Sequence, residues 1–426
     1  MEVSNQRSVI FYGAGRQAQY LLSGKIAHSK CRIPKLEEGI CFADADERKW
    51  RSSFMGLPVM HITEALEKWP DAKIYIALGF PIKYSVIGYL TDTLKVSAER
   101  ILNYEPVEKY LSCEYLQGYL ITEHDTLGMC FSNFGRKDTP RFALLGNTES
   151  SMKRFLNERD ELIERTRDKD QQGACYGCRN LQVRYWPVDK KVKYLNVIDF
   201  KGCNINCSYC IEHQPLKIAK HPTDEFNYRG LIGYLKENSQ LDEDFRCSLV
   251  AGEITVHPKK GDILSAVYPY PTSICSNGLL YDEQIAEILR RGLSYLYVSM
   301  DAGTRETFKK IKGGDIYEIV CNNLRKYAKC GPLELKYIVL PGINDNAEDA
   351  NGFFELCREL SVQNVVISRD YDGWIEIDDN QLAFMVDMYS TFMEAHIPVT
   401  IPDWQYSELE NRRIDEAVKQ RGYDRY

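Results

Sequence analysis

The chain has 426 residues, 44% of them hydrophobic and 27% charged, with a net charge of −7. This is a globular balance with material for two or three domains of about 150 residues, and its acidity gives no bulk attraction for nucleic acid or an anionic membrane. No apolar run approaches the roughly 18 residues that cross a bilayer, and MEVSNQRSVIFYGAG lacks the parts of a secretion signal, so a cytoplasmic location without membrane partners is expected.

The first hundred residues alternate between strand and helix patterns. SVIFYGAG gives a short apolar strand, Val9 to Tyr12, that runs into a glycine turn, and RQAQYLLSGKI carries a helical pattern. GICFADAD is a second strand ending in Asp44 and Asp46, and GLPVM, ITEALEKW and KIYIALG continue the alternation. Such a series implies a parallel sheet with right-handed crossovers. The turn Gly13-Ala14-Gly15-Arg16-Gln17-Ala18 fits G-x-G-x-x-G/A, where Gly13 and Gly15 let the backbone approach a phosphate at a helix N-terminus. Asp44 or Asp46 stands near the distance at which an acid bonds a ribose. Equally, glycine suits any tight strand-to-helix turn. The pattern YGAGRQAQYLL…FADADERKW…MGLPV, over roughly residues 7 to 105, resembles the small Rossmann-like domains found beside sugar-modifying enzymes and in nucleotide-sugar acyltransferases. That resemblance implies a nucleotide-sugar or similar phosphate ligand rather than NAD.

Residues 106–190 form a cysteine-containing linker region. GYLITEHDTLGMCF reads as a short strand pair around Cys130, and SMKRFLNERDELIERTRDKDQQ as an amphipathic helix with a solvated charged face. GACYGCRNL then places Cys175 and Cys178 in a C-x2-C, half of a metal site, for which Cys130 and Cys113 are the nearest completions. The bland alternative is a set of reduced thiols that pack as small hydrophobes. Fourteen cysteines in a chain without an export signal lean towards metal rather than disulfides where they cluster.

The densest cluster is KGCNINCSYCIEH, in which Cys203, Cys207 and Cys210 follow C-x3-C-x2-C. A structural zinc needs four ligands, and His213 can complete that count. A [4Fe–4S] cluster on three thiolates keeps one iron open for chemistry. Counting leaves both open. The preceding apolar run YLNVIDF puts the loop at the carboxyl end of a strand, where α/β barrels place their chemistry.

C-x3-C-x2-C after a first strand, with Tyr209 before the last cysteine, resembles the cluster loop of the radical S-adenosylmethionine (radical SAM) enzymes. The resemblance continues in order. VAGEIT matches a GGE element with Ala251 in place of the first glycine, leaving Gly252 and Glu253 to meet the methionine amine. SICSNG, with Ser276, resembles a third-strand SNG element. YVSMDAGTRETFKKIKG resembles the fourth-strand segment that puts Ser299 and Asp301 near the ribose. LKYIVLPGINDN and VVISRD resemble the fifth and sixth strands. Ser299 and Asp301 equally suit a helix cap, and Gly252 a simple turn.

The two resemblances together imply an α/β fold, a partial (β/α)6 barrel over 191–400 behind a Rossmann-like parallel α/β domain over 1–105, and NRRIDEAVKQRGYDRY reads as a polar terminal helix or tail within 401–426. The radical SAM resemblance implies a [4Fe–4S] cluster on Cys203, Cys207 and Cys210 with S-adenosylmethionine on the open iron. Tyr209 would pack on the adenine, and Lys336 or Arg369, unless merely solvated at the rim, would hold an anionic substrate. A second Fe–S cluster on Cys130, Cys175 and Cys178 is a further candidate. The partners implied are a small-molecule or nucleotide-linked substrate and a one-electron donor such as flavodoxin or ferredoxin. Two other readings compete: a radical SAM maturase of a peptide or protein side chain, and a zinc-binding regulatory or scaffold protein.

Overall fold

The computed structural model describes residues 8–22, 33–123, 126–130, 141–143, 148–169, 174–178, 180–198, 200–210, 214–215, 227–250, 252–370, 376–423 and 425. The chain folds as two compact units, one built from 1–122, 126–195 and 230–246, the other from 123–125, 196–229 and 247–426.

The first unit opens with a five-stranded sheet of β1 (Val9–Tyr12), β2 (Gly39–Ala43), β3 (Ser53–Phe54), β4 (Leu57–Met60) and β5 (Lys73–Ile76), in the order β3-β4-β2-β1-β5. All pairings are parallel except β3 with β4. The central strand VIFY is buried at every position, as a parallel strand covered on both faces requires. Its two faces feed two apolar clusters, Ile10 and Tyr12 on one side and Val9 and Phe11 on the other. The order reverses at β1, so the carboxyl ends of β1 and β5 form the crevice typical of Rossmann-like sheets. Buried Asn103 ties Ile76 there, accepting from its N–H at 3.0 Å and donating to its carbonyl at 2.9 Å.

The rest of this unit holds β6 (Val107–Ser112), β7 (Tyr119–Glu123), β8 (Thr126–Gly128), β9 (Arg141–Ala143), β10 (Gln182–Pro187) and β11 (Val192–Val197). β6 and β10 pair antiparallel, while β11, β7, β8 and β9 are neighbours in that order. The strand pair expected around Cys130 is present as β7 and β8, and Cys130 follows it rather than lying inside. The charged helix runs Thr148–Arg167, but its face is not all solvated. Arg159 is fully buried and donates to the Lys190 carbonyl and Asp160. Charge on a helix marks the solvent side only until a carbonyl is offered beneath it.

The second unit contains the short parallel pair β12 (Gly202–Cys203) and β13 (Gln214–Pro215), the last residues of β14 (Leu241–Leu249, which enters this unit at Cys247), then β15 (Thr272–Ser276), β16 (Tyr295–Ser299), β17 (Leu333–Val339), β18 (Asn364–Arg369) and β19 (Val399–Thr400). β14 to β19 are parallel and lie in chain order, each beside its predecessor, with helices between them. Right-handed crossovers in unbroken order put every helix on one face and leave the other as an inner face: the winding of a partial (β/α) barrel. Helix-side residues such as Ile274, Val298, Leu335 and Tyr337 are buried, while Cys275, Tyr297, Ser299, Glu334 and Lys336 alternate with them at partial exposure. The last segment is not a loose tail. Helix Glu408–Gln420 packs through Ile414 and Val418, and its buried Glu410 pairs with Arg369 at 2.9 Å.

Candidate functional site

The three-cysteine loop follows β11, with buried Phe200 just before it. Cys203 and Cys207 are partly covered and Cys210 is exposed. The loop backbone is held from outside itself. Ser208 N–H donates to the Ile311 carbonyl at 2.8 Å, and a Cβ at Gly313 (φ +75°) would stand 2.8 Å from the Asn206 oxygen. The carboxyl end of helix Arg305–Lys312 is therefore a seat for the loop, and only glycine lets the two backbones meet so closely. Burial pushes the Cys207 thiol up to about 11, with Lys312 opposing and Asp301, Cys203 and Cys210 adding to the rise. Burial also raises Cys203, with Glu253 and Cys210 adding to it against opposing bonds from Ile205 and Asn277. The three thiols thus feel one another.

Gly252 (φ +58°) presses on the start of this loop: a Cβ there would lie 2.3 Å from the Phe200 oxygen and 2.7 Å from that of Gly202. Glu253 is fully buried and is a fastener. It accepts from Thr255 N–H at 3.0 Å, Thr255 hydroxyl at 2.7 Å, Ser276 hydroxyl at 2.9 Å and Asn277 N–H at 2.6 Å. Burial raises its pKa against the pull of these donors. Ser276 is accordingly a strut between Glu253 and Gly278 N–H. Asn277 is the residue that sequence reasoning passed over. Its Nδ2 lies 3.5 Å from Cys203 Sγ and 2.7 Å from Asn204 Oδ1. The signal was present in SNG, whose middle letter had no assigned role.

Asp301 is fully buried at φ +59° and hydrogen-bonds through both oxygens. Oδ2 accepts from Tyr209 hydroxyl at 2.5 Å and Lys312 Nζ at 2.5 Å, and Oδ1 from Ile338 N–H at 2.8 Å. Lys312 also donates to the Tyr209 hydroxyl at 2.8 Å and lies 5.1 Å from its ring centroid. Burial and the Asp301 charge hold the Tyr209 phenol well above its usual range. Tyr209 is thus locked from its hydroxyl end beside Cys207, and Lys312, which no spacing argument singled out, is the cation that neutralises Asp301. Ser299 and Lys336 are register partners on β16 and β17. Arg369 is neither solvated nor aimed at a substrate: buried, it is paired with Glu410 and lies 5.8 Å from the Tyr406 ring centroid.

In the first unit, Asp44 is committed to the fold. It accepts from Ala14 N–H at 2.8 Å, Asp46 N–H at 2.9 Å and Lys49 Nζ at 3.1 Å. An amide of the glycine turn therefore already holds a carboxylate. A Cβ at Gly13 (φ +109°) would stand 2.6 Å from Leu78 Cδ2, whereas one at Gly15 would meet nothing within 4 Å. Burial pushes the Cys113 thiol up, a Leu116 bond opposes it, and Cys175, Cys130 and Cys178 are each near enough to raise it further. Cys178 N–H donates to the Cys175 carbonyl at 3.1 Å, closing the C-x2-C turn.

Among the described residues no three His, Cys, Asp or Glu side chains stand at the spacing of ligands on one ion. Cys203, Cys207 and Cys210 sit on one short loop, three thiols of the kind that could hold a [4Fe–4S] cluster and leave its fourth iron open. His213 and Ala251 lie outside the described residues.

The sequence pattern of the Radical SAM superfamily matches residues 197–354. Over 234 residues the chain is 24% identical to the GTP 3',8-cyclase of Aliarcobacter butzleri, covering 52% of this chain and 71% of that protein. Over 161 residues it is 26% identical to the probable GTP 3',8-cyclase of Archaeoglobus fulgidus, covering 37% of this chain and about half, 53%, of that one. Streptococcus suis SuiB is similar in structure at 11% identity and a TM-score of 0.42, covering 59% of this chain and 54% of that one. Residues 197–354 are thus a radical SAM domain, and enzymes of that superfamily work with a [4Fe–4S] cluster and S-adenosylmethionine.

Proposed function

We propose that the chain binds a [4Fe–4S] cluster through Cys203, Cys207 and Cys210 and acts on a small, nucleotide- or sugar-linked substrate by hydrogen abstraction. Reduced and loaded with S-adenosylmethionine, such a cluster supplies a 5'-deoxyadenosyl radical. The observation that carries the reading is the way the chain builds the loop's surroundings: Gly252, Asn277 and Gly313 each bring backbone or amide against it from a different strand or helix end. In this reading Asn277 steadies the Cys203 thiolate by its N–H, and Lys312 keeps Tyr209 and Asp301 rigid beside Cys207. Ser299, on the inner face, meets the ribose, and Gly252 leaves the methionine end room. Glu253 acts through the loops it ties. A nucleotide substrate is supported by the GTP 3',8-cyclases among the relatives.

In the first unit, Cys130, Cys175 and Cys178 with Cys113 form a second, closed thiolate site, and the glycine turn at Gly13 and Gly15 serves a phosphate-bearing ligand only if Asp44 yields its hold on Ala14. Residues 1–105 are then the Rossmann-like domain, 106–190 the cysteine-bearing linker and 191–400 the catalytic barrel. The test is iron and sulfide content after anaerobic reconstitution, comparing wild type with the Cys203, Cys207 and Cys210 triple alanine variant, followed by 5'-deoxyadenosine formation with dithionite. About four irons lost in the variant, and cleavage by wild type alone, are expected. Zinc without iron in the wild type would sink the reading and leave a zinc-binding scaffold.

A further inference from the structure

Along the inner face of the β14–β19 sheet, the polar side chains nearest the strands' amino ends are tied to one another across β17, β18 and β19. Glu334 is bonded by Asn364 Nδ2 at 3.3 Å, and Asn364 in turn accepts from Thr400 at 3.2 Å. Two neighbours towards the carboxyl end of the strands do not fit this pattern. Ser299 on β16 and Lys336 on β17 stand side by side in register, both partly exposed. The side chain of neither is hydrogen-bonded or ion-paired among the described residues. The nearby Asp301 cannot neutralise Lys336 at close range, because its oxygens are held by Lys312, Tyr209 and the Ile338 amide. Asp370 acts on Lys336 only at longer range. One strand further, Ser368 shares the parity of Asn364 and so stands on the same face, but it is fully covered, and its Oγ has no hydrogen-bond partner among the described residues. A partly buried ammonium without a counter-charge is costly, and burial indeed holds Lys336 below its usual pKa. An arriving anion removes that cost.

We infer that Lys336, beside Ser299 on the inner face of the barrel, anchors an oxyanion of the substrate, a phosphate or a carboxylate. The inference deepens the radical SAM reading and rests on it, since Ser299 is the side chain expected to face the ribose. An ammonium is a compact point charge that binds either oxyanion, and the strand framework fixes its distance from the ribose side of the site. The substrate is then acidic, and its charged group points into the barrel beneath the reacting carbon.

The test is calorimetric titration of the reconstituted full chain, without reductant, using inorganic pyrophosphate in one arm and succinate in the other. One of the two is expected to bind wild type saturably, to weaken by at least about tenfold in Lys336→Met, and to recover most of that loss in Lys336→Arg. The arm that binds identifies the source as phosphate or carboxylate. Iron content and melting temperature report whether each variant folds. Should Lys336→Met fail to fold, peptide-resolved acetylation of wild-type lysines replaces it, and pyrophosphate or succinate is expected to protect Lys336 selectively. Absence of binding by both anions, equal binding by Lys336→Met, or no protection of Lys336 overturns the inference. Formation of 5'-deoxyadenosine by wild type is measured separately. Anion binding without that cleavage rejects the radical reading alone, and cleavage without anion binding rejects the anchor alone.

Discussion

A backbone angle at one glycine decides how the cluster loop is held. Gly252 sits at φ +58° with two carbonyl oxygens closer to its missing Cβ than any real Cβ contact, so alanine there meets both left-handed strain and a backbone clash. Gly252→Ala is expected to destabilise the chain by at least about 2 kcal/mol in urea denaturation and to retain less iron after gel filtration. Gly15→Ala is the contrast: nothing lies within 4 Å of its Cβ position, and its melting curve should overlay that of wild type. Both glycines were visible in sequence as motif letters, but the letters could not say which was sterically required. Glu253 shows the same gap. Its place after Gly252 suggested contact with S-adenosylmethionine, whereas four donors of its own fold surround it. Glu253→Gln supplies one acceptor where two are used, leaving at least one buried donor unsatisfied at a cost of about 1–3 kcal/mol. Equal urea midpoints for Glu253→Gln and wild type would refute that fastening role.

Strands carry the next level, and here legibility depends on how much of a residue's role is local. The β1 run VIFY and the glycine turn were readable because an apolar run bounded by glycine has few other solutions. The consecutive order of β14 to β19 was implied by strand–helix alternation. What alternation could not reveal is a polar tie between distant strands, as at buried Lys193 and Asp242. These residues pair in the first unit, with Lys193 also donating to Tyr84 hydroxyl at 2.6 Å. Nothing in the pattern VKYLNV marks Lys193 as buried, since a lysine in a strand ordinarily marks the wet face. Burial alone would raise Asp242, but the Lys193 charge and bond, helped by Asp244 N–H and Lys83, hold it below the ordinary carboxylate value. A depressed acid stabilises the fold above its unfolded pKa, and that contribution is lost as pH falls through the folded one. Lys193→Met is expected to cost roughly 3–5 kcal/mol by stranding a buried carboxylate, with Lys193→Met/Asp242→Leu recovering most of it. Urea midpoints of wild type and double variant, compared from neutral pH downward, should converge as the pair's advantage disappears.

At the scale of the molecule, the two thiol sets belong to different compact units: Cys113, Cys130, Cys175 and Cys178 to the first, and Cys203, Cys207 and Cys210 to the second. On the proposed reading each set is held by its own unit's framework. The C-x2-C turn and the entry to the helix at Glu114–Gly118 supply the first set, and the seat at Gly313 with the press of Gly252 supplies the second. Metal loading should therefore be additive rather than cooperative. Three ligands leave an iron open and four do not, so only the second-unit cluster should respond to S-adenosylmethionine. Cys175→Ala/Cys178→Ala is expected to lower iron from about eight to about four per chain. The remaining reduced-cluster electron paramagnetic resonance signal should still shift when S-adenosylmethionine is added. The Cys203, Cys207 and Cys210 triple variant should show the converse, about four irons with a signal indifferent to S-adenosylmethionine. If the upstream variant instead loses one zinc and no iron, the first-unit site is a structural four-thiolate zinc, and its removal should appear as a lowered melting temperature. Unchanged metal content in that variant would return Cys113, Cys130, Cys175 and Cys178 to the role of packing thiols.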